Sequence, residues 1–217
     1  MADPNKPHSE IEVKLYVPLL EPVQTQLDVV GATLVSGRTF EHNLRYDNAE
    51  GTLASKGFVL RLRRDKRNRI TYKEPLDPVA QHRGVHSRYE AEVTVDDFET
   101  TDTILQKLGF SVVMAYEKYR TTYHADGAEI VLDEMPYGHF VEIEAADEAT
   151  IDRTADRLGL SMVPRLSYSY ARLFEHVQAN LGLTFRDLTF ANFAGITVPL
   201  TAFDPPQPKG EPTDEER

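Results

Sequence analysis

A chain of 217 residues with 41% hydrophobic content can bury one sizeable core, and no apolar run in it approaches the roughly 20 residues needed to span a bilayer. Its formal charge of -11 argues against general nucleic-acid binding, and the absence of cysteine excludes disulfides and thiolate metal sites. The opening residues MADPNKPHSE lack the basic-then-apolar order of a signal peptide, so no membrane association is expected and the expected location is cytoplasmic.

After a leader over 1–8, period-two alternation predicts a first strand over 10–17. A helix over 22–30 follows and stops at Gly31, a residue suited to the left-handed position that ends helices. Strands are predicted over 39–47, 58–64, 69–74 and 87–95, with a hairpin turn at 65–68 inside the basic run RLRRDKRNR. A second helix over 97–108 stops at Gly109, strands follow over 112–123, 128–134 and 139–145, and a helix over 149–158 stops at Gly159. A last helix over 168–181 stops at Gly182. Residues 176–204 then hold that helix end and an appendage carrying Phe185, Phe190 and Phe193, expected to pack on a main body spanning 9–175. Residues 205–217, rich in Pro and charge, read as a disordered tail. The bulk is α+β with more strand than helix. Strand, helix, glycine, strand recurs, which fits either a faint internal duplication or glycine capping alone.

Residues two apart on a strand share a face. In EIEVKLY, Ile11, Val13 and Leu15 oppose Glu10, Glu12 and Lys14. Leu60 and Leu62 oppose Arg61 and Arg63; Tyr72 opposes Lys73; Tyr89, Ala91 and Val93 oppose Arg88, Glu90 and Glu92. Lys118 and Arg120 share a face, Ile130 and Leu132 oppose Asp133, and Val141 and Ile143 oppose Glu142 and Glu144. A single such strand is most simply one with a solvated side. Here the polar positions are almost all fully charged, and like charges repeat about 7 Å apart along one face, which is costly unless opposite charge lies between them. Apolar faces packed outward against helices would leave the charged faces lining a closed or nearly closed eight-stranded antiparallel barrel. Acid pairs in such a bore suit a divalent cation, bases suit a polyanion, and together they suit a metal–phosphate complex.

EIEVK resembles the Glu-x-Glu-x-Lys signature of the CYTH superfamily, the triphosphate tunnel metalloenzymes. LRLR (60–63), YKEP (72–75), RYEAE (88–92), EKYR (117–120) and LDEMPYGHFVEIE (132–144) follow in that family's order, over residues 9 to 175. The resemblance implies an eight-stranded tunnel, dependence on Mg²⁺ or Mn²⁺, and a small triphosphate or nucleoside triphosphate as substrate. By position it implies Glu10, Glu12, Glu142 and Glu144 as metal ligands, assisted by Asp133, Glu90 and Glu92. It implies Lys14, Arg61, Arg63, Lys73, Lys118 and Arg120 as phosphate contacts, with Lys14 and Tyr46 as candidates for proton transfer. Arg45, standing where the family often has Tyr, and Arg88 are further candidate phosphate contacts.

Two departures bear on activity. Tyr168 stands before Ser169-Tyr170 where a Lys often does, and only His8-Ser9 stands where class IV adenylyl cyclases carry His-Phe. Three functions remain, ranked in this order: a metal-dependent triphosphatase, a class IV adenylyl cyclase forming cyclic AMP from ATP, and a non-catalytic polyphosphate or nucleotide binder. A dedicated thiamine triphosphatase is disfavoured, because the animal enzymes stack thiamine on Trp and this chain has none. His82, His86 and His139 lack metal-ligand spacing and read as surface residues, and Tyr116, Tyr119 and Tyr123 as packing or rim residues. A homodimer is compatible with the sequence.

Overall fold

The structure, a computed structural model, describes residues 11–75 and 88–206. Glu10, His82, His86, the leader over 1–8 and residues 207–217 lie outside the described residues. Eight strands form one antiparallel sheet: β1 (Ile11–Val17), β2 (Thr33–Asp47), β3 (Val59–Arg64), β4 (Asn68–Pro75), β5 (Arg88–Val95), β6 (Ser111–Ala125), β7 (Ala128–Met135) and β8 (Gly138–Ala145). Their spatial order is β1-β8-β7-β6-β2-β3-β4-β5. The helices are α1 (Glu21–Val29), α2 (Thr52–Ser55), α3 (Phe98–Lys107), α4 (Glu148–Arg157) and α5 (Tyr170–Leu181), followed by a 3-10 turn over Leu200–Phe203.

The apolar alternation decides which face meets helices. Val13 and Leu15 of β1, Ile130 and Leu132 of β7, and Val141 and Ile143 of β8 are buried in one cluster with Leu27 of α1 and Ile151 of α4. Further along the same outer face, Leu62 of β3 packs with Phe98 and Leu105 of α3. Asp97 and Asp147 cap α3 and α4 by accepting from the Thr100 and Thr150 amides at 2.6 and 2.8 Å. Gly138 opens β8 at φ 151°, and a Cβ there would stand 2.8 Å from the Tyr16 ring, so only glycine lets β1 approach this turn.

The inner face has its own apolar lid. Phe140 and Met135, which point inward, cluster with Leu173, Phe174 and Val177 of α5 and with Phe193 and Phe203 beyond it. The C-terminal segment is stitched to β6 beyond the end of β7. Leu188 lies in a parallel bridge to Tyr116, its amide donating to the Ala115 carbonyl and its carbonyl accepting from the Glu117 amide, both at 2.9 Å. The appendage expected over 176–204 is thus woven into the sheet as well as packed on it.

The expected barrel is corrected in one respect: backbone hydrogen bonds do not close it. The sheet ends at β1 on one side and β5 on the other, with no ladder between them among the described residues. The outer edge of β1 is taken by residues 165–166, where the Leu166 amide donates to the Lys14 carbonyl at 2.8 Å. The sheet nonetheless bends round. Strands three places apart in a flat sheet stand about 14 Å from one another. Yet the Nζ atoms of Lys14 on β1 and Lys118 on β6 lie 4.0 and 5.4 Å from the centre of the same Tyr170 ring. No described helix is long and apolar enough to cross a membrane.

Candidate functional site

Strand register settles which side chains share the inner face. Glu12 and Lys14 stand opposite Glu144 and Glu142. Glu129 lies beside Glu144 on β7, and Arg120 opposite Asp133. Across β2, Thr39, Glu41, Asn43 and Arg45 face Arg120, Lys118, Tyr116 and Met114. Arg61 and Arg63 continue the face opposite Arg45 and Asn43, then Thr71 and Arg69, then Glu92 and Thr94, with Lys73 opposite Glu90. The predicted residues within the described chain are therefore gathered on one face, with one exception. The backbone of Arg88 is paired with Pro75.

Tyr46 is the exception. It lies next to Arg45 in the strand, so it must face the other way. It is 3% exposed in the outer core with Leu62 and Phe98, and its hydroxyl donates to Asp102 of α3 at 2.9 Å. Burial and that hydrogen bond both push its phenol up. As a catalytic candidate it is withdrawn.

The densest part of the face is a mesh of ion pairs. Asp133 is completely buried and accepts from Arg120 Nε at 2.8 Å, Arg120 Nη2 at 2.6 Å, Lys118 Nζ at 3.0 Å and the Tyr170 hydroxyl at 2.8 Å. Both its oxygens are engaged, so it orders the bases, and a ligand role would require them to let go. Glu142 pairs with Lys14 and, at 2.6 Å, with Arg120. Burial would raise its carboxyl, but Lys14, Arg120 and Lys118 hold it well below the usual range. Burial likewise pulls Lys14 down, and Glu142 and Glu12 outweigh it, so the ammonium is kept charged.

The second half of the wall is built on β2 to β5. Arg63 Nε donates to Asn43 Oδ1 at 2.8 Å, and its Nη1 lies 3.2 Å from Glu41. Arg61 donates to Thr71 at 3.1 Å and to the Tyr116 hydroxyl at 3.3 Å. Burial raises the Tyr116 phenol, but Arg61, Arg63 and Lys118 bring it down to about 8. Lys73 pairs with Glu90 at 2.5 Å, and Glu92 with Arg69 at 3.1 Å. The basic run at 61–69 divides as its hairpin reading expects. Arg61, Arg63 and Arg69 turn inward, while Arg64 turns outward to Glu99 at 2.5 Å and over Phe98. His139 is at the surface beside the Pro18 carbonyl.

Glu41, Asn43, Tyr116, Glu129 and Tyr170 were missed as site residues by sequence reasoning. Period two would have found the first four, since Glu41 and Asn43 share parity with Arg45, Tyr116 with Lys118, and Glu129 with Asp133. Tyr170 carries no such signal, because a helix sequence does not say what the helix covers.

Whether these residues fit a divalent cation turns on Glu12 and Glu144. They are directly opposite on one face, with Cβ atoms about 5 Å apart, so a cation between them would offset the repulsion of like charges. Among the described residues Glu12 has no ion pair, and no three carboxylates or histidines converge as a ready-made cage. A hard cation held by one or two carboxylates together with a ligand's phosphate oxygens needs no such cage. The donor set fits.

Fold and face together define an α+β protein in which one curved antiparallel sheet buries acids and bases against one another on its inner surface. The chain belongs to the CYTH domain family, whose model matches residues 8–163. A Methanocaldococcus jannaschii protein named as a candidate adenylate cyclase is 28% identical over 138 residues, covering 62% of this chain and 75% of that one. The PH1012 protein of Pyrococcus horikoshii superposes with a TM-score of 0.63 at 26% identity, covering 74% of this chain and 96% of that one. A Hippeastrum protein, described as a candidate adenylyl cyclase with a dominant triphosphatase activity, superposes at 0.55 with 22% identity over 81% of this chain and 97% of that one. CYTH proteins bind triphosphates, act as triphosphatases or cyclase-like enzymes, and are generally dependent on divalent metal.

Proposed function

We propose that this protein is a divalent-metal-dependent phosphohydrolase acting on inorganic triphosphate or another small triphosphate. The observation that carries the reading is the charge balance of the inner face. Its described bases, Lys14, Arg45, Arg61, Arg63, Arg69, Lys73, Lys118 and Arg120, are interspersed with the acids Glu12, Glu41, Glu90, Glu92, Glu129, Asp133, Glu142 and Glu144. A face of such mixed charge has little long-range pull on a bare triphosphate. It suits a guest that brings both signs, a polyanion together with cations.

In this reading Glu12 and Glu144, with Glu10, would hold Mg²⁺ or Mn²⁺, with Glu142, Glu90 and Glu92 able to join as their bases turn to phosphate. The ion supplies charge neutralisation and lowers the pKa of bound water. Arg61, Arg63, Lys73 and Lys118 grip phosphate oxygens, the guanidinium forks doing so in pairs, with Arg45 and Arg88 further along the wall. Lys14 and Arg120 exchange Glu142 for the transferring phosphoryl group, whose charge they offset as it develops. Because Lys14 is held protonated, it acts as a fixed charge and does not take up a proton. Asp133 and Tyr170 keep Lys118 and Arg120 aimed during the exchange.

Purified protein with Mg²⁺ or Mn²⁺ should release phosphate from inorganic triphosphate. Glu12→Gln and Arg63→Ala should each lower kcat/KM by about 100-fold or more. A second reading, cyclisation of ATP, is favoured by the name of the 28% identical archaeal relative. Robust formation of cyclic AMP from ATP without phosphate release from any triphosphate would replace the first reading with the second.

A further inference from the structure

Glu41 is an acid set in the middle of the basic wall. It is 3% exposed, lies between Thr39 and Asn43 on the inner face of β2, and stands opposite Lys118. Its Oε1 is 3.2 Å from Arg63 Nη1, and its Oε2 is 3.7 Å from Lys118 Nζ. That second oxygen accepts no hydrogen bond, although it is buried. Burial raises its carboxyl, but Lys118, Arg120, Arg63 and Arg61 together bring it down to about 2, so the group is anionic at any working pH.

An under-bonded buried carboxylate among four cations presents to them the same kind of oxygen that a phosphate would. It cannot leave as a counter-ion would, because β2 holds it there. A phosphate entering between Arg63 and Lys118 therefore meets a fixed like charge at close range, in surroundings that screen it poorly. We propose that Glu41 is a selectivity residue, a built-in anion that makes phosphate binding at Arg63 and Lys118 conditional on an accompanying divalent cation. This deepens the reading above and rests on it, since the bore must first be a triphosphate site. Free polyanions are turned away, and only cation complexes, with part of their charge already neutralised, are admitted.

Calorimetric titration of inorganic triphosphate in EDTA tests this directly. Glu41→Gln, which keeps the shape and removes the charge, should bind at least tenfold more tightly than the unaltered protein. With Mg²⁺ and a non-hydrolysable imido analogue, the two proteins should agree to within about threefold. Glu92→Gln, removing a more exposed acid that lies 3.1 Å from Arg69 and 3.8 Å from Arg61, should give a smaller gain in EDTA than Glu41→Gln. Should Glu41→Gln fail to fold, as judged by thermal melting, Glu41→Ala is read in the same way. Equal or weaker binding by the folded variant in EDTA overturns the proposal, because a purely structural role predicts loss and not gain. If the unaltered protein binds the analogue with Mg²⁺ but removing the carboxylate gives no gain in EDTA, the gate alone falls. If it binds neither form, the triphosphate reading falls as well.

Discussion

Arg45 and Tyr46 show what a single residue step decides. Both are polar, adjacent and near the end of one strand, and both were candidate site residues; the pleat allows only one of them to face inward. Arg45 does, and the Tyr46 hydroxyl binds Asp102 under α3. Tyr46→Phe should therefore lower stability by about 1 kcal/mol, the worth of one hydrogen bond, because Asp102 keeps its contact with Gln106 at 2.9 Å. A shifted urea midpoint with unchanged triphosphate turnover is the expected pair of results; lost turnover in a stably folded variant would return Tyr46 to the site. The same parity rule, applied evenly, would have brought in Glu41.

At the scale of elements, the strands were legible because their alternation is strong. The start of β2, residues 33–38, was not, since TLVSGR breaks step where register shifts between Leu34 and Ser36 and again before Thr39. Helix ends were legible through glycine, and α5 stops at Gly182, with φ 65°. What α5 packs against was not legible, because periodicity marks an apolar stripe without naming the surface that meets it. That partner proves to be the inner face itself, with Tyr170 between Lys14 and Asp133 and Phe203 against Tyr16. Phe203→Ala should cost about 3–5 kcal/mol in chemical denaturation, the usual range for emptying a buried aromatic site. Cutting the chain after Gly182 also removes Leu188 and Phe193, so the product should be unfolded or aggregated. A truncated chain that melted at the full-length temperature would contradict this account of the appendage.

For the molecule as a whole, the charged inner face ties stability to pH. Glu41 and Glu142 titrate below their ordinary range in the folded protein, Glu41 at about 2. A carboxyl whose pKa is depressed by folding adds stability above its unfolded value, near 4.3, and that stability is lost as pH falls through the folded value. Unfolding free energy should be nearly flat from pH 7 to about 5 and then fall steadily toward pH 2. In Glu41→Gln the acid limb of that profile should be shallower; an unchanged limb would mean that Glu41 is not held ionised by its neighbours.

The gap between β1 and β5 has a mechanical consequence. A barrel zipped all the way round has its girth fixed by strand number and stagger. Here, among the described residues, nothing in the backbone ladder spans those two edges, and β1 is bonded to residues 165–166 instead. The distance between those two edges is then not set by the ladder. In the proposed reading, a guest with a bulky end would be admitted by movement of these two edges apart, with every ladder hydrogen bond left intact.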